Sequence, residues 1–410
     1  MDTVIVGGGI AGLTLAEELA KDNVCVTILE RYPAWGGRVV THRENNLQYE
    51  IGAGRIFKDH ARVLALIKRF NLHTYPITTS QQFERNPNPF IHTFRPIHTL
   101  LHTIPQSTLQ THTIAELIPT AYKPLLKAFP YWAEFHMMRA DVAMKLFDPS
   151  DPMTSNKSAD DTEPDFFGVK EGLDAITTSL ANAAIKAGAD LRNRHRVHDI
   201  QRRPDGLFLI TGDYGKKVEA QPFTFTAKRV IIATCRCSLS RFSILKDTPL
   251  LKQLGTSPLL RIYAVYPPNS NSLPWFHDVE KQVTANPLRY VIPIDKSKGL
   301  IMISYTDGND TNRWRHLDDQ ALEAEIQKQT KLLFPDKTIP PPSSIMKHDW
   351  PSGCTYWLPG NYDVKKASKA AMNPSPNLYI AGESISLTQT WIEGALESAE
   401  TLLKKLRHST

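Results

Sequence analysis

Asp2-Thr3-Val4-Ile5-Val6-Gly7-Gly8-Gly9-Ile10-Ala11-Gly12 opens the chain, and its reading decides the fold. Val4 to Val6 are apolar and β-branched, as expected of a strand buried on both faces. Gly7, Gly9 and Gly12 then supply a tight turn. Leu13, Ala16 and Ala20, with Leu15 and Leu19, recur at helical spacing. Val24 to Leu29 reads as a second buried strand, and it ends in Glu30, 18 residues after Gly12. A lone GxGxxG says little. Placed after a strand, at the start of a helix and ahead of an acidic residue that closes the next strand, it predicts a dinucleotide site. Glycines let the backbone N–H groups, with Ile10 and Ala11 in the first helical turn, meet a pyrophosphate at the positive helix end. Glu30 is suited to accept hydrogen bonds from ribose hydroxyls. It would repel a 2′-phosphate, which favours FAD or NAD over NADP. The alternative is a structural glycine turn that binds nothing.

The next residues, Arg31-Tyr32-Pro33-Ala34-Trp35-Gly36-Gly37-Arg38, suit a second contact to the same ligand. Arg31, Gly37 and Arg38 are the candidates, and Arg38 can neutralise a diphosphate bidentately. A plain surface arginine is the alternative. Similar signals return late in the chain. Leu207–Thr211, Arg229–Thr234 and Asn377–Ala381 read as strands, the last followed by Gly382-Glu383 and a helix from about Glu393 to Leu406. Pieces of one dinucleotide fold at the start, middle and end predict a discontinuous domain, formed by 1–60, 166–240 and 341–410. Residues 61–165 and 241–340 would form an inserted second domain.

Composition agrees with a folded protein. The chain has 410 residues, 41% hydrophobic and 22% charged, with 48 Lys plus Arg against 42 Asp plus Glu, a net charge of +6. That content excludes global disorder, and a mild basic excess spread over the whole chain is poor evidence for nucleic acid. No apolar run approaches the ~18 residues of a membrane helix. The first strand begins almost at Met1, leaving no signal peptide, so a soluble cytoplasmic protein is expected. Four cysteines (Cys25, Cys235, Cys237, Cys354) are too few for a disulfide scaffold and match no zinc spacing. His98 and His102 stand at i, i+4 among four histidines from His92 to His112. No HExxH glutamate accompanies them, and ordinary histidines, with no metal, are the expectation. The acidic, proline-bearing stretch 148–165 reads as a solvated connector.

Taken together, these motifs resemble the flavin-containing amine oxidases, a group that includes monoamine, polyamine and L-amino-acid oxidases. The resemblance runs through Val4–Gly12, Glu30–Arg38, Glu50-Ile51-Gly52-Ala53-Gly54-Arg55, Gly172–Val197, Val230–Thr234 and Leu378–Ala399. Within the group, the likeness leans toward bacterial tryptophan-oxidising members, on Gly52–Arg55, Asn286-Pro287-Leu288-Arg289, Tyr305-Thr306-Asp307 followed by Trp314, and Trp391–Gly394. It implies an α/β fold: a discontinuous, Rossmann-like FAD-binding domain of the GR2 type with an inserted α+β substrate domain. It also implies non-covalent FAD held by Gly7, Gly9, Gly12, Glu30, Arg38 and the Gly52-Ala53-Gly54-Arg55 turn. Val197 would contact adenine through its backbone, Gly382-Glu383 the ribityl–pyrophosphate part, and Trp391, Ile392 and Ala395 would bring a helix N-terminus to the flavin pyrimidine edge. Such a helix end stabilises the negative charge of reduced flavin.

The resemblance further implies oxidation of an amine or L-amino acid to an imine by hydride transfer to flavin N5, with dioxygen reoxidising the flavin to give hydrogen peroxide. The partners implied are a small-molecule substrate and dioxygen, with no nucleic acid and no membrane; a homodimer is compatible. Arg55 matches an arginine that clamps the substrate carboxylate in L-amino-acid oxidases, the alternative being a structural pairing. Tyr305 would support the same carboxylate, or else fill the core. Arg261 falls where the family usually has lysine, and an arginine cannot serve as a neutral base, which leaves open a dehydrogenase with another acceptor. Trp391, with Tyr356 or Trp357 opposite, would wall the site; ordinary core packing is the alternative, and the favoured one for Tyr356 and Trp357. Cys354 lies near a covalent flavin position of some relatives, though with different spacing. The alternatives in function are a flavin-dependent desaturase or dehydrogenase of an apolar substrate, or a flavin-binding protein without turnover.

Overall fold

The computed structural model describes residues 1–77, 81–83, 95–126, 129, 131–146, 165–216 and 218–408. Its first layer is a five-stranded, all-parallel sheet in the order Leu378–Ile380, Arg229–Ile232, Thr3–Val6, Val26–Leu29, Asp190–Arg192. The short runs that fill it are apolar on both faces. Val4, Ile5, Ile28, Val230, Ile231, Ile232 and Ile380 are all essentially inaccessible. Helices Ile10–Lys21, Asp174–Lys186 and Ile392–Arg407 pack together against this sheet. Parallel strands send all their C-terminal ends to one edge, the place where open α/β sheets bind ligands. Gly7, Glu30, Ala233 and Ala381-Gly382 therefore gather there from four separate parts of the sequence. A three-stranded antiparallel sheet, His195–Arg202, Phe208–Tyr214 and Gln221–Ala227, stands beside it and carries Val197.

The second layer is a six-stranded sheet in the order Ser344–Trp357, Leu254–Val265, Leu300–Asp307, Tyr290–Asp295, Lys281–Val283, Gln81–Phe83. Helix Asp319–Leu333 buries Leu322 and Ile326 in the same apolar cluster as Trp275 and Trp314. Short helices between residues 95 and 146 form a further cluster around Ile97, Leu101, Phe129 and Phe135. The stretch beginning at 341 thus opens with a strand, Ser344–Trp357, that lies in the six-stranded sheet along its whole pairing with Leu254–Val265. The first-layer sheet is re-entered only at Leu378. Among the described residues, no helix is long and apolar enough to cross a membrane.

Some expectations fall outside these residues: His92, and the acidic stretch except Asp165. Asp165 is buried and ion-paired to Lys58 at 3.0 Å. His98 and His102 lie on helix Arg95–His102, where the His102 ring meets the His98 carbonyl at 2.9 Å. Among the described residues there is no group of three or more His, Cys, Asp or Glu able to hold a metal.

Candidate flavin and substrate site

At the first turn the backbone is closely fitted on the protein side and open on the other. Gly7 has φ +111°, and a Cβ on Gly12 would come within 2.1 Å of the Gly7 carbonyl oxygen, so helix and strand meet there only as glycines. A Cβ on Gly9, by contrast, would meet nothing nearer than the Gly36 oxygen at 4.0 Å. Gly9 caps the 12-residue helix Ile10–Lys21 without a side-chain cap, so no side chain competes with an anion for the first-turn amides. Gly37 packs over this turn, and the Gly36 amide donates to the Gly8 carbonyl at 2.8 Å. The two glycine segments form one cradle.

Glu30 is buried, and its carboxylate accepts from the Gly8 amide at 2.7 Å and the Tyr32 amide at 2.8 Å. Burial pushes its pKa up, opposed by these two amides. Each carboxylate oxygen keeps a further lone pair for a ribose hydroxyl. Arg31 turns instead onto the Tyr32 ring, 4.5 Å from its centroid. Arg38 donates to the Gly353 carbonyl at 2.8 Å and to Glu383 at 2.7 Å. Glu383 also accepts from the Thr355 and Thr390 amides, at 3.2 and 2.9 Å. One buried carboxylate thus ties the turn after the second strand to the turn after the last one. Burial alone would pull the Arg38 pKa down, but Glu383 more than offsets it, and the guanidinium stays charged. Beside Glu383, a Cβ on Gly382 would meet nothing within 4 Å, so a second open patch of backbone faces the cradle.

Trp391 caps the final helix, Ile392–Arg407. Its indole lies parallel to Phe166 at 6.4 Å and edge-on to His60 at 4.8 Å. Glu393, in the first turn, points away to cap helix Ala61–Arg69, accepting from the Arg62 and Val63 amides and from the Arg62 guanidinium at 3.0 Å. The positive end of the final helix therefore keeps Ile392 and Ala395 near an edge whose one carboxylate is already neutralised. Ile392 and Ala395 are themselves nearly buried in the first-layer core.

Arg55 stacks over Phe166 at 4.2 Å and lies 5.8 Å from the Trp391 ring centroid. Among the described residues, no carboxylate pairs with it. Arg261 is fixed differently. Its guanidinium donates to the Glu50 carbonyl at 2.9 Å, lies 4.8 Å over the Tyr305 ring and abuts Gly54, where a Cβ would meet it at 3.2 Å. Gly52 and Ala53 are pinned to the Arg38 carbonyl, which the Ala53 amide reaches at 2.8 Å. Glu50 itself is a half-buried acid raised by desolvation to about 7; Thr41 and the Leu173 amide donate to it. Tyr305 stacks on Tyr290 at 5.6 Å, and burial raises both phenols.

Of the residues singled out in the sequence, Arg55 thus lies beside Trp391, and Arg261 beside Tyr305. Tyr356 and Trp357 are core instead. Trp357 is fully buried and donates to the Ser386 carbonyl at 3.0 Å, and Tyr356 donates to Glu134 at 3.1 Å. Phe166 takes the wall facing Trp391. Cys354 is half-buried by surface, and burial pushes its thiol far above the ordinary range. Cys235 and Cys237 lie with their sulfurs 2.8 Å apart beside this edge. Residues that sequence reasoning missed are Phe166, His60, Glu50, Tyr131, Tyr290 and Lys281. Only Glu50 had a local signal, its place directly before the glycine turn.

Three comparisons bear on this arrangement. Amine oxidase A of Bos taurus is 35% identical over 82 residues, 20% of this chain and 16% of that enzyme's length, so the chain matches well under two thirds of that relative. The L-amino acid oxidase of Crotalus durissus cumanensis is 23% identical over 99% of this chain and 90% of its own. Cyclohexylamine oxidase from Brevibacterium oxydans superposes with a TM-score of 0.73 at 16% identity, covering 99% of both chains, which shows a shared mixed α/β fold. Residues 10–158 and 140–401 match the profile of flavin containing amine oxidoreductases. That match covers far more than half of the sequence, and the chain therefore belongs to the flavin-containing amine oxidoreductase family, whose members carry a flavin.

Proposed function

We propose that this protein oxidises an L-amino acid, in preference to a simple amine, to the corresponding imine. FAD, when bound, supplies the hydride acceptor at flavin N5, and dioxygen accepts the electrons to give hydrogen peroxide. The cradle fits that group: open backbone at Gly9 and Gly382, a helix start at Ile10 and Ala11 with no side-chain cap, a ribose acceptor at Glu30 and a charged Arg38 beside the cradle. This supports a Rossmann-like binding part assembled from the terminal and central segments, with Val197 toward adenine. The suppressed ionisation of Cys354 supports non-covalent binding, since a thiol held protonated is a poor nucleophile.

The observation that carries the amino-acid reading is the guanidinium of Arg55, which lies over Phe166 beside Trp391 and is unclaimed by any described carboxylate. A carboxylate bound there bidentately would fix the α-carbon. Phe166, Trp391 and Tyr305 would keep water from the reacting C–N bond. Arg261, held by the Glu50 carbonyl, keeps a permanent positive charge beside Tyr305. That charge suits an anion more than a proton acceptor, and it favours one second reading: a dehydrogenase using an acceptor other than dioxygen.

The purified protein should be yellow, and an L-amino acid should bleach it anaerobically. If amines bleach it and amino acids do not, the carboxylate reading of Arg55 fails. Peroxide formed in step with turnover would remove the dehydrogenase reading.

A further inference from the structure

A line of side chains crosses the six-stranded sheet away from the flavin side. Arg261 lies 4.8 Å from the Tyr305 ring, Tyr305 stacks on Tyr290 at 5.6 Å, and the Lys281 ammonium sits 5.4 Å from the Tyr290 ring centroid. These four residues stand on four successive strands: Leu254–Val265, Leu300–Asp307, Tyr290–Asp295 and Lys281–Val283. Three strand spacings put Lys281 ~14 Å from Arg261, at the far end of the same aromatic face. Lys281 is therefore too distant to touch a reacting amine, and at the right end to meet the tail of a substrate.

Its electrostatic setting is unusual. Lys281 is partly buried on an inner strand, and among the described residues it forms no ion pair. Burial and the Arg55 charge together lower its pKa to about 7. Arg55 also acts on Tyr131 and Tyr290, so its field reaches the aromatic face that ends at Lys281. Of the nearby acids, Asp307 is held by the Trp132 and Ala133 amides at 3.2 and 2.9 Å. Glu134 accepts from Tyr356 and keeps one oxygen, Oε2, with no partner among the described residues. Two neighbouring cations with no counter-ion among the described residues are costly unless a ligand brings the missing anions. One anion for Arg55 is the α-carboxylate of the reading above, on which this step rests. The other is unassigned.

We infer that Lys281 is a specificity residue that binds a second carboxylate at the end of the substrate side chain, so that the preferred substrates are acidic L-amino acids. An anion arriving at Lys281 raises its proton affinity, so the ammonium and the side-chain carboxylate form a charge-assisted pair over the Tyr290 ring. A neutral side chain of equal size leaves the cation uncompensated.

The test compares L-glutamate, L-2-aminoadipate and L-glutamine in anaerobic reduction of the flavin-loaded protein, with dissociation constants read from the concentration dependence. Glutamate or aminoadipate should bind at least about tenfold more tightly than glutamine. Lys281→Met should erase that ratio, and Lys281→Arg should keep it. Glutarate, which cannot be oxidised, should raise the melting temperature of the wild type and not of K281M, a readout independent of turnover. Equal use of glutamine and glutamate, or a ratio unchanged in K281M, overturns the inference and leaves the Arg55 reading standing. Reduction by amines and by no amino acid overturns both.

Discussion

The two ends of the candidate site treat charge in opposite ways. At the glycine cradle every buried ion is already matched: Glu30 by two amides, and Glu383 by Arg38 and two more amides. At the aromatic cavity Arg55 and Lys281 have no matching carboxylate among the described residues, only rings. A paired network is rigid and keeps its shape with the ligand gone. An unpaired cation is a standing cost that the right ligand removes. On the proposed reading, the first end holds a resident group and the second a transient one. Substitutions should therefore damage the two ends differently, through stability and cofactor retention at one, and through substrate affinity at the other.

The largest effect is expected at Gly9. A Cβ there meets no protein atom closer than 4.0 Å, so Gly9→Leu should fold with a nearly unchanged melting temperature in the flavin-free state. It should fill the space left for a pyrophosphate and lose flavin by a factor of roughly 10³ or more, the scale of a displaced charged hydrogen-bond set. Absorbance of the purified protein near the flavin band checks this. Retention of full colour would mean that the cradle is not where the cofactor binds.

Arg38→Ala comes next. It strips Glu383 of its counter-charge while leaving that carboxylate buried, a change that costs about 3–5 kcal/mol when a buried pair is broken. The two amides that still serve Glu383 place this case at the lower end. Denaturant unfolding of the flavin-free protein isolates the structural share, and flavin titration the rest. An unaltered unfolding midpoint would show that the cradle is not held by its internal pairing, which would break the comparison at its first side.

Arg55→Ala should leave stability within about 0.5 kcal/mol, because its guanidinium holds no described partner in the folded state. KM for amino acids should rise by roughly 10²-fold, the value of one charged bidentate contact, while KM for simple amines changes little. Steady-state kinetics on the two substrate types separates the outcomes. A variant that unfolds instead would make Arg55 a structural residue of the first kind.

Much of the cradle was legible because its signals are local. Gly7, Gly9 and Gly12 are demanded by a turn within a few residues, and Glu30 follows from the end of the next strand. The parallel strands were visible as short apolar runs whose observed bounds, Arg229–Ile232 and Leu378–Ile380, fall inside the expected ones. The strand Ser344–Trp357 was not legible. Its polar and apolar residues do not alternate, it contains Pro351 and Gly353, and its register shifts between Ser257 and Leu259 opposite them. Such an irregularity accommodates a proline that regular pairing would exclude. Nothing in the strand's own sequence points to a partner some ninety residues earlier. The cavity was equally opaque. Phe166, Tyr290 and Lys281 come from separate strands, and only the folded sheet puts them beside Arg55. Arg261 illustrates the mixture, a position found by resemblance whose partners, the Glu50 carbonyl and the Tyr305 ring, were not visible beforehand.

Glu50 joins the two ends, and it yields the smallest effect. Its carbonyl receives Arg261 and Tyr263, while its carboxyl faces Thr41 and the Leu173 amide. Burial raises that carboxyl from 4.5 to about 7. A carboxyl whose folded pKa lies above its unfolded one binds more protons when folded. Its stabilising share is therefore complete below about pH 4.5 and is lost as pH rises through about 7. Glu50→Gln stays neutral throughout and keeps an acceptor for the Leu173 amide. The variant and the wild type should melt together near pH 4.5, and the wild type should fall behind by a few degrees at pH 8. Flavin-loaded and flavin-free melts should show the same divergence, because the titrating carboxyl faces protein amides and a hydroxyl, with no cofactor contact of its own. Divergence confined to the flavin-loaded state would move Glu50 out of the scaffold and into the cofactor's electrostatics, and would place the boundary between prepaired and ligand-paired charge one residue turn closer to Arg55.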